Sequence, residues 1–211
     1  MKLSGSYKLN VKKEIVWNSL NDPNILQKCI PGCESFEKES DIILGNKDAP
    51  VTIIEYASLS CSHCASFHNN TLPDIKKEYI DTGIVRMVFR DYPFNYPALL
   101  GSMMMRCITN DLRYDYMNAL YKLQNTWVNK DPKISKKELY KIMQSGGMTK
   151  EEFNECYSNL DNENLILEGV MAAQKDFNIK STPSFIVNGN LVEGNKNIKE
   201  FRQIIDKILS E

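Results

Sequence analysis

Long hydrophobic runs and an excess of charge of either sign are both missing from this sequence of 211 residues. No apolar stretch approaches the roughly 18–20 residues that a membrane-spanning helix requires. The 26 basic and 27 acidic residues give a net charge of −1, so no basic field predicts nucleic acid or an anionic membrane as a partner. The opening stretch MKLSGSYK lacks the apolar core of a secretory signal, so we expect the chain as written to stay in the cytoplasm.

Cysteine is also scarce, with six residues at positions 29, 33, 61, 64, 107 and 156. They are too sparse for a small fold held together by disulfides, and a chain of this length can bury a core without them. The composition, 42% hydrophobic and 25% charged, is that of an ordinary globular protein. The informative feature is therefore the spacing of two of the cysteines.

The stretch Cys61-Ser62-His63-Cys64 directly follows a short apolar run at 51–54 and precedes a helical pattern. A strand that runs straight into a helix places Cys61 at the helix N-terminus, where unpaired N–H groups and the helix dipole favour the thiolate. Cys64 lies one turn further along, within disulfide distance, and His63 can add positive charge or a donor at the Cys61 sulfur. Because a more stable thiolate leaves more readily, the pair is predicted to be redox active and its disulfide oxidising.

A structural zinc site is the alternative interpretation of the C-x-x-C pair. It would need a second pair of ligands, for which Cys29 and Cys33 are the candidates, and nothing in the pattern brings these to Cys61. A C-x-x-C motif after a strand in a β-α-β setting favours redox chemistry. We therefore predict no metal and no cofactor.

Hydrophobic periodicity predicts a β-α-β unit, a helical block and a β-β-α unit, in that order. The C-x-x-C helix is predicted to kink or restart at Pro73 with Thr71 as its cap, and Asn188-Gly189 predicts a hairpin turn. The strands are predicted at 42–44, 51–54, 84–89, 184–187 and 191–192. The later helices are predicted at 98–110, 112–124, 135–144, from a capping box at Thr149 and Glu152, at 165–177 and at 198–209.

From about Asp41 to Glu211 the chain resembles the DsbA family of thiol–disulfide oxidoreductases. The resemblance rests on CSHC at 61–64, STPSFIVNG at 181–189 and the helical block between them, although Ser62 stands where the family more often has proline. It implies an α/β thioredoxin fold with an inserted all-helical domain. The implied domain boundaries are 41–95 for the first part of the thioredoxin fold, 96–178 for the helical insertion and 179–211 for the second part.

The resemblance also implies roles for individual residues. Cys61 would be the exposed nucleophile and Cys64 its buried partner. Thr182-Pro183 would form a cis-proline loop against the active-site disulfide, with the Thr182 backbone free to pair with an extended substrate; a trans proline opening an edge strand is the alternative. Glu55 would be a buried acid that helps to move protons at Cys64, unless it is a solvated residue at a sheet edge.

Three further features have alternatives. His68, one turn past Cys64, is predicted on the helix surface and not in the catalytic centre. Met103–Met105 are predicted to pack inside the helical block, a methionine-rich surface for peptides being the alternative. Cys107 and Cys156 fall on different helices, and a structural disulfide between them, which some bacterial relatives carry, is favoured over two buried free thiols.

Residues 1–40 do not belong to the oxidoreductase pattern. Their periodicity predicts a short β-α-β segment, and VWNSLNDP at 16–23 with CIPGCE at 29–34 resembles the start of a helix-grip domain, of the group typified by the G protein of carbon monoxide dehydrogenase. A segment this short cannot bury a core alone. We therefore expect it to dock on the oxidoreductase or to mediate self-association.

The resemblance implies a function and its partners. The protein would introduce disulfides into unfolded or reduced substrate proteins with free cysteines, and a quinone-linked membrane protein would reoxidise it. The family is periplasmic or bound to the cell envelope, which opposes the cytoplasmic expectation above. Two other functions stay open: a disulfide isomerase or reductase on the same fold, and a non-catalytic peptide-binding domain whose activity would survive alkylation of Cys61.

Overall fold

The computed structural model describes residues 41–210, and these contain a single five-stranded sheet. The strands are β1 (Ile42–Leu44), β2 (Val51–Ala57), β3 (Val85–Asp91), β4 (Ser184–Val187) and β5 (Asn190–Glu193). The predictions for residues 1–40, which include the β-α-β segment, the helix-grip resemblance and the zinc candidates Cys29 and Cys33, lie outside the described residues.

The sheet has the order β1-β3-β2-β4-β5. Only β2 and β3 pair in parallel, and every other pair is antiparallel. A parallel pair needs a crossover, which the helical segment after the C-x-x-C pair supplies. Asn188 and Gly189 both adopt positive φ between β4 and β5, which confirms the predicted hairpin turn. The arrangement is the thioredoxin fold that the motifs predicted.

The helices pack around this sheet and form the block between β3 and β4. The crossover consists of α1 (Ser62–Ser66), a π-helical turn (Phe67–Thr71), α2 (Leu72–Ile75) and a second π-helical turn (Lys76–Ile80). The remaining helices are α3 (Tyr96–Arg106), α4 (Asn110–Lys122), α5 (Gln124–Trp127), α6 (Pro132–Ser145), α7 (Lys150–Tyr157), α8 (Leu160–Phe177) and α9 (Ile198–Leu209). None of the helices described between residues 41 and 210 has the length and apolar character to cross a membrane.

The predicted restart of the crossover helix at Thr71 is wrong. Thr71 has helical backbone angles (φ −103°, ψ −43°) and its side chain caps nothing. The chain accommodates Pro73 by changing from π to α geometry, since the N–H of Leu72 bonds to the Phe67 carbonyl. Pro73 then stands at the start of α2, where its missing N–H matters least.

The helical block follows the sequence pattern with shifted ends. The capping box of Thr149 and Glu152 is present at the start of α7. Helix α3 ends four residues before the predicted position, α8 begins five residues before it, and the short α5 was not predicted. Met103–Met105 are at most 5% exposed, so they pack in the core and the methionine-rich surface is wrong.

A disulfide joins Cys107, directly after α3, to Cys156 in α7. The two cysteines are 49 residues apart in sequence and their Cα atoms are 6.2 Å apart. The disulfide favoured from the resemblance is therefore confirmed. It ties two helices of the inserted block together.

Candidate active site

The C-x-x-C pair lies where the chain leaves β2 and enters α1. Cys61 precedes the first helical turn with extended backbone angles (φ −81°, ψ 121°), and its carbonyl accepts a hydrogen bond from the Ala65 N–H at 3.0 Å. Its place at the helix N-terminus is as predicted. Its exposure is smaller than expected, 8% against 0% for Cys64, because the segment at Thr182 covers the sulfur.

Hydrogen bonds at the Cys61 sulfur stabilise its thiolate. The largest contribution comes from the Cys64 side chain, and smaller ones come from the Thr182 side chain and the backbone N–H groups of Cys64 and His63. They outweigh the loss of solvation and lower the pKa of Cys61 to about 5. Cys64 is the opposite case, since burial, then the Cys61 sulfur and the Glu55 charge, raise its pKa far above that of an ordinary thiol. Near neutral pH one sulfur is a thiolate and the other a thiol.

In the reduced protein, the rate of Cys61 alkylation should be half-maximal near pH 5 and constant through neutrality. Iodoacetamide reacts with the thiolate, so each pH unit below the pKa should lower the rate about tenfold. Mass spectrometry of the peptide that contains residue 61 gives the rate at each pH. As a control, Cys64→Ala should move the midpoint upward, because it removes the strongest donor. A wild-type midpoint near about 8.5, the ordinary thiol value, would contradict this.

The loop before β4 contacts Cys61. The Thr182–Pro183 peptide bond is cis, so the trans alternative is wrong. The Cys61 thiol donates a hydrogen bond to the Thr182 carbonyl, with the sulfur and oxygen 3.3 Å apart. The Thr182 hydroxyl is buried and has no hydrogen-bond partner among residues 41–210. A thiolate at Cys61 can no longer donate, but it can accept from this hydroxyl.

His63 is exposed on the first turn of α1. Its backbone N–H contributes to the low pKa of Cys61, whereas the predicted role of its ring stays a prediction. In the described part of the chain, no group of three or more His, Cys, Asp and Glu side chains is placed to hold a metal ion.

Glu55 and His68 form a buried pair beside Cys64. The His68 Nε2 and Glu55 Oε2 atoms are 2.9 Å apart, and the two side chains are 1% and 0% exposed. The imidazole stacks on the Tyr121 ring, with centroids 4.0 Å apart. Glu55 is therefore buried and not a solvated edge residue, and the prediction that His68 lies on the helix surface is wrong. Its position four residues after Cys64, on the same helix face, was the signal that could have located it.

Gln124, at the start of α5, was not predicted to belong to the site. Its side-chain N–H groups donate to the carbonyls of Leu59 and Cys61, at 2.9 and 3.0 Å. The side chain is buried, so it satisfies carbonyls that would otherwise lack a partner away from water. The helical block thereby holds the backbone at Cys61 in place.

The arrangement has counterparts among known proteins. A family profile described as thioredoxin matches residues 37–207. A protein of Rickettsia bellii named as a protein-disulfide oxidoreductase is 33% identical over 177 residues, which cover 82% of this chain and 66% of that protein. Disulfide bond formation protein D of Bacillus subtilis is 28% identical over 177 residues, covering 79% of this chain and 76% of that protein.

Solved structures agree in fold. The crystal structure of alpha-DsbA1 from Wolbachia pipientis superposes with a TM-score of 0.76 at 28% identity, covering 83% of this chain and 94% of that one. The chain spans 62 to 66% of the length of the Rickettsia proteins that it matches.

Proposed function

The chain belongs to the thioredoxin family, as a DsbA-like member, and we propose that it oxidises pairs of thiols in substrate proteins through Cys61 and Cys64. The observation that carries the proposal is the contrast between the two sulfurs, since the pKa of Cys61 is lowered to about 5 while that of Cys64 is raised. A stable Cys61 thiolate stabilises the reduced pair. The disulfide form is then a strong oxidant.

The reaction begins when a substrate thiolate attacks the Cys61 sulfur of the Cys61–Cys64 disulfide. A bond forms between the substrate sulfur and Cys61, the Cys61–Cys64 bond breaks, and the departing Cys64 sulfur takes up a proton. The second substrate thiolate then attacks the substrate sulfur of the mixed disulfide, and Cys61 leaves as a thiolate. Two electrons have passed from the substrate to the enzyme.

Other residues would support these steps. We assign to the Thr182-Pro183 loop the backbone pairing with an extended substrate, because it lies against the Cys61 sulfur. The exposed ring of His63 would add positive charge beside the thiolate. Glu55, buried next to Cys64, would take part in the proton transfer.

The resemblance also supports proposals about the partners. Substrates would be unfolded or reduced proteins with free cysteines, and a quinone-linked membrane protein would reoxidise the pair. The cell envelope is the compartment in which a stable oxidant of thiols can act, because cytoplasmic thiols are kept reduced. Cell fractionation with the native gene tests this location: envelope protein with an oxidised pair agrees with it, and cytoplasmic protein with a reduced pair opposes it.

The reduction potential of the Cys61–Cys64 pair tests the oxidase function. Titration against glutathione should give a value nearer to the DsbA potential of about −120 mV than to the thioredoxin potential of about −270 mV. Thr182→Val is the matched variant, since it keeps the shape and loses the hydroxyl that lowers the pKa of Cys61; its potential should be more negative. A wild-type value at or below that of thioredoxin would instead favour a reductase.

A further inference from the structure

The buried pair of Glu55 and His68 contains more ionisable chemistry than a single buried acid would. The Nε2–Oε2 contact occupies one polar atom of each side chain. Glu55 Oε1 and His68 Nδ1 are also buried, and neither has a hydrogen-bond partner within residues 41–210. Such groups are costly to bury, which indicates that the pair is kept for more than packing.

The pair lies close enough to Cys64 to affect its protonation. The charge of Glu55 is one of the causes that raise the pKa of Cys64, after burial and the Cys61 hydrogen bond. Burial raises the pKa of the neighbouring Tyr121 as well, so the phenol stays neutral and does not compete as an acid or base. The imidazole and the carboxylate are then the groups beside Cys64 that can exchange a proton near neutral pH.

A small cavity of about 30 Å³ adjoins the pair, with His68, Tyr121, Asp91 and Arg106 among its lining residues. That volume holds one or two water molecules, and the lining supplies polar partners for them. The Asp91 side chain is 24% exposed and lies 3.7 Å from the Arg106 guanidinium. The cavity therefore connects the buried pair with partly exposed charged groups.

We infer that Glu55 and His68 act as one unit that holds a single shared proton, and that this proton passes to Cys64 when the disulfide opens. The inference rests on the proposed oxidase function and adds His68 to it as a positioning residue that acts through Glu55. The Cys61–Cys64 bond breaks, its electron pair goes to the Cys64 sulfur, and the shared proton moves to that sulfur. The pair is left with one negative charge, which water in the cavity can neutralise with a proton from solvent.

The reverse transfer accompanies reoxidation, in which Cys64 must lose its proton before it attacks a mixed disulfide on Cys61. The titratable and charged groups that face the pair or its cavity come from α1, α3, α4 and β3. They are Cys64, Arg106, Tyr121, Arg113, Arg90 and Asp91.

His68→Gln tests the inference, because a glutamine amide can still donate to Glu55 Oε2 but cannot take up a proton. In single turnovers with a dithiol peptide, the rate of disulfide opening per substrate thiolate should fall about tenfold or more at neutral pH, which is the lower range for loss of a general acid. It should also fall further as pH rises, since the proton must then come from solvent. Glu55→Gln should give the same loss, and the double variant should add little, because the two residues act as a unit.

Two controls separate this inference from its foundation. Asn69→Gln alters the exposed neighbour of His68 and should leave the rate and its pH profile unchanged. The pH midpoint of Cys61 alkylation should be the same in His68→Gln as in the wild type. If wild-type protein fails to oxidise the peptide at all, the oxidase function is wrong. If it oxidises the peptide and His68→Gln does so at the wild-type rate and pH profile, only the shared-proton inference is overturned.

A spectroscopic measurement serves if His68→Gln does not fold. The chain has two histidines, His63 and His68, so isotope-labelled histidine gives two ring signals, which His63→Asn assigns. The His68 signals should shift with pH over the range in which the wild-type single-turnover rate changes. Signals that stay fixed across that range would overturn the inference.

Discussion

Replacing Cys61 by serine should reduce the oxidation of a dithiol peptide to the level measured without enzyme. A hydroxyl forms no disulfide, and the remaining Cys64 is fully buried with a raised pKa, so it offers neither a thiolate nor an accessible sulfur. Cys64→Ser should also lose turnover, since no disulfide is left to reduce. The two variants should nevertheless behave differently towards a peptide that already contains a disulfide.

Cys64→Ser keeps the Cys61 thiolate, which can attack such a peptide and form a mixed disulfide that nothing resolves. Intact-mass measurement should therefore find peptide bound to Cys64→Ser and none bound to Cys61→Ser. Ser62→Ala is a suitable control because it changes an exposed residue between the cysteines and keeps both sulfurs. Accumulation on Cys61→Ser, or turnover by it, would show that Cys61 is not the attacking residue.

Removal of the Cys107–Cys156 disulfide should lower the free energy of unfolding by about 4 kcal/mol, if the loss follows the entropy of the chain loop that it closes. The cysteines are 49 residues apart, so the bond restricts a large part of the unfolded chain. The comparison is cleanest in a Cys61→Ala/Cys64→Ala background, which leaves the bridge as the disulfide of the described residues. Urea unfolding of that protein, with and without Cys107→Ala/Cys156→Ala, gives the difference.

Adding a reductant to the background protein provides an independent control, since it opens the same bond without a substitution. The two routes should agree within about 1 kcal/mol, a difference that the burial of Cys156 can account for. A loss below about 1 kcal/mol by both routes would mean that the unfolded chain is already restricted near these helices.

The redox pair and the fold could be predicted because local signals identified them. A strand followed by C-x-x-C placed Cys61 at a helix N-terminus, and Asn188-Gly189 predicted the hairpin between β4 and β5. The burial of Glu55 followed from the apolar strand around it. Each of these signals lies within a few residues of the feature that it predicts.

The missed residues depend on contacts between distant parts of the chain or on a choice that residue type does not settle. Gln124 bonds to a carbonyl 63 residues away, and no local pattern distinguishes it from an exposed glutamine. His68 had the right spacing from Cys64, but a polar side chain on a buried face becomes favourable only with its partner, Glu55. Pro73 predicts a break only if the helix before it has α geometry, whereas the π-helical turn at that place removes the conflict.

The hairpin at the end of the sheet bears on how a protein of this kind avoids aggregation with the chains that it handles. Strand β5 is the edge strand, has only four residues and is largely exposed. It ends at the charged Glu193, and Gly194 follows with φ of +83°, a conformation that a continued strand does not adopt. An unfolded chain that approaches this edge finds few free backbone groups to pair with. Contact with extended chains is thereby restricted at this edge, which leaves the loop at Thr182 as the place where a substrate can bind briefly and leave.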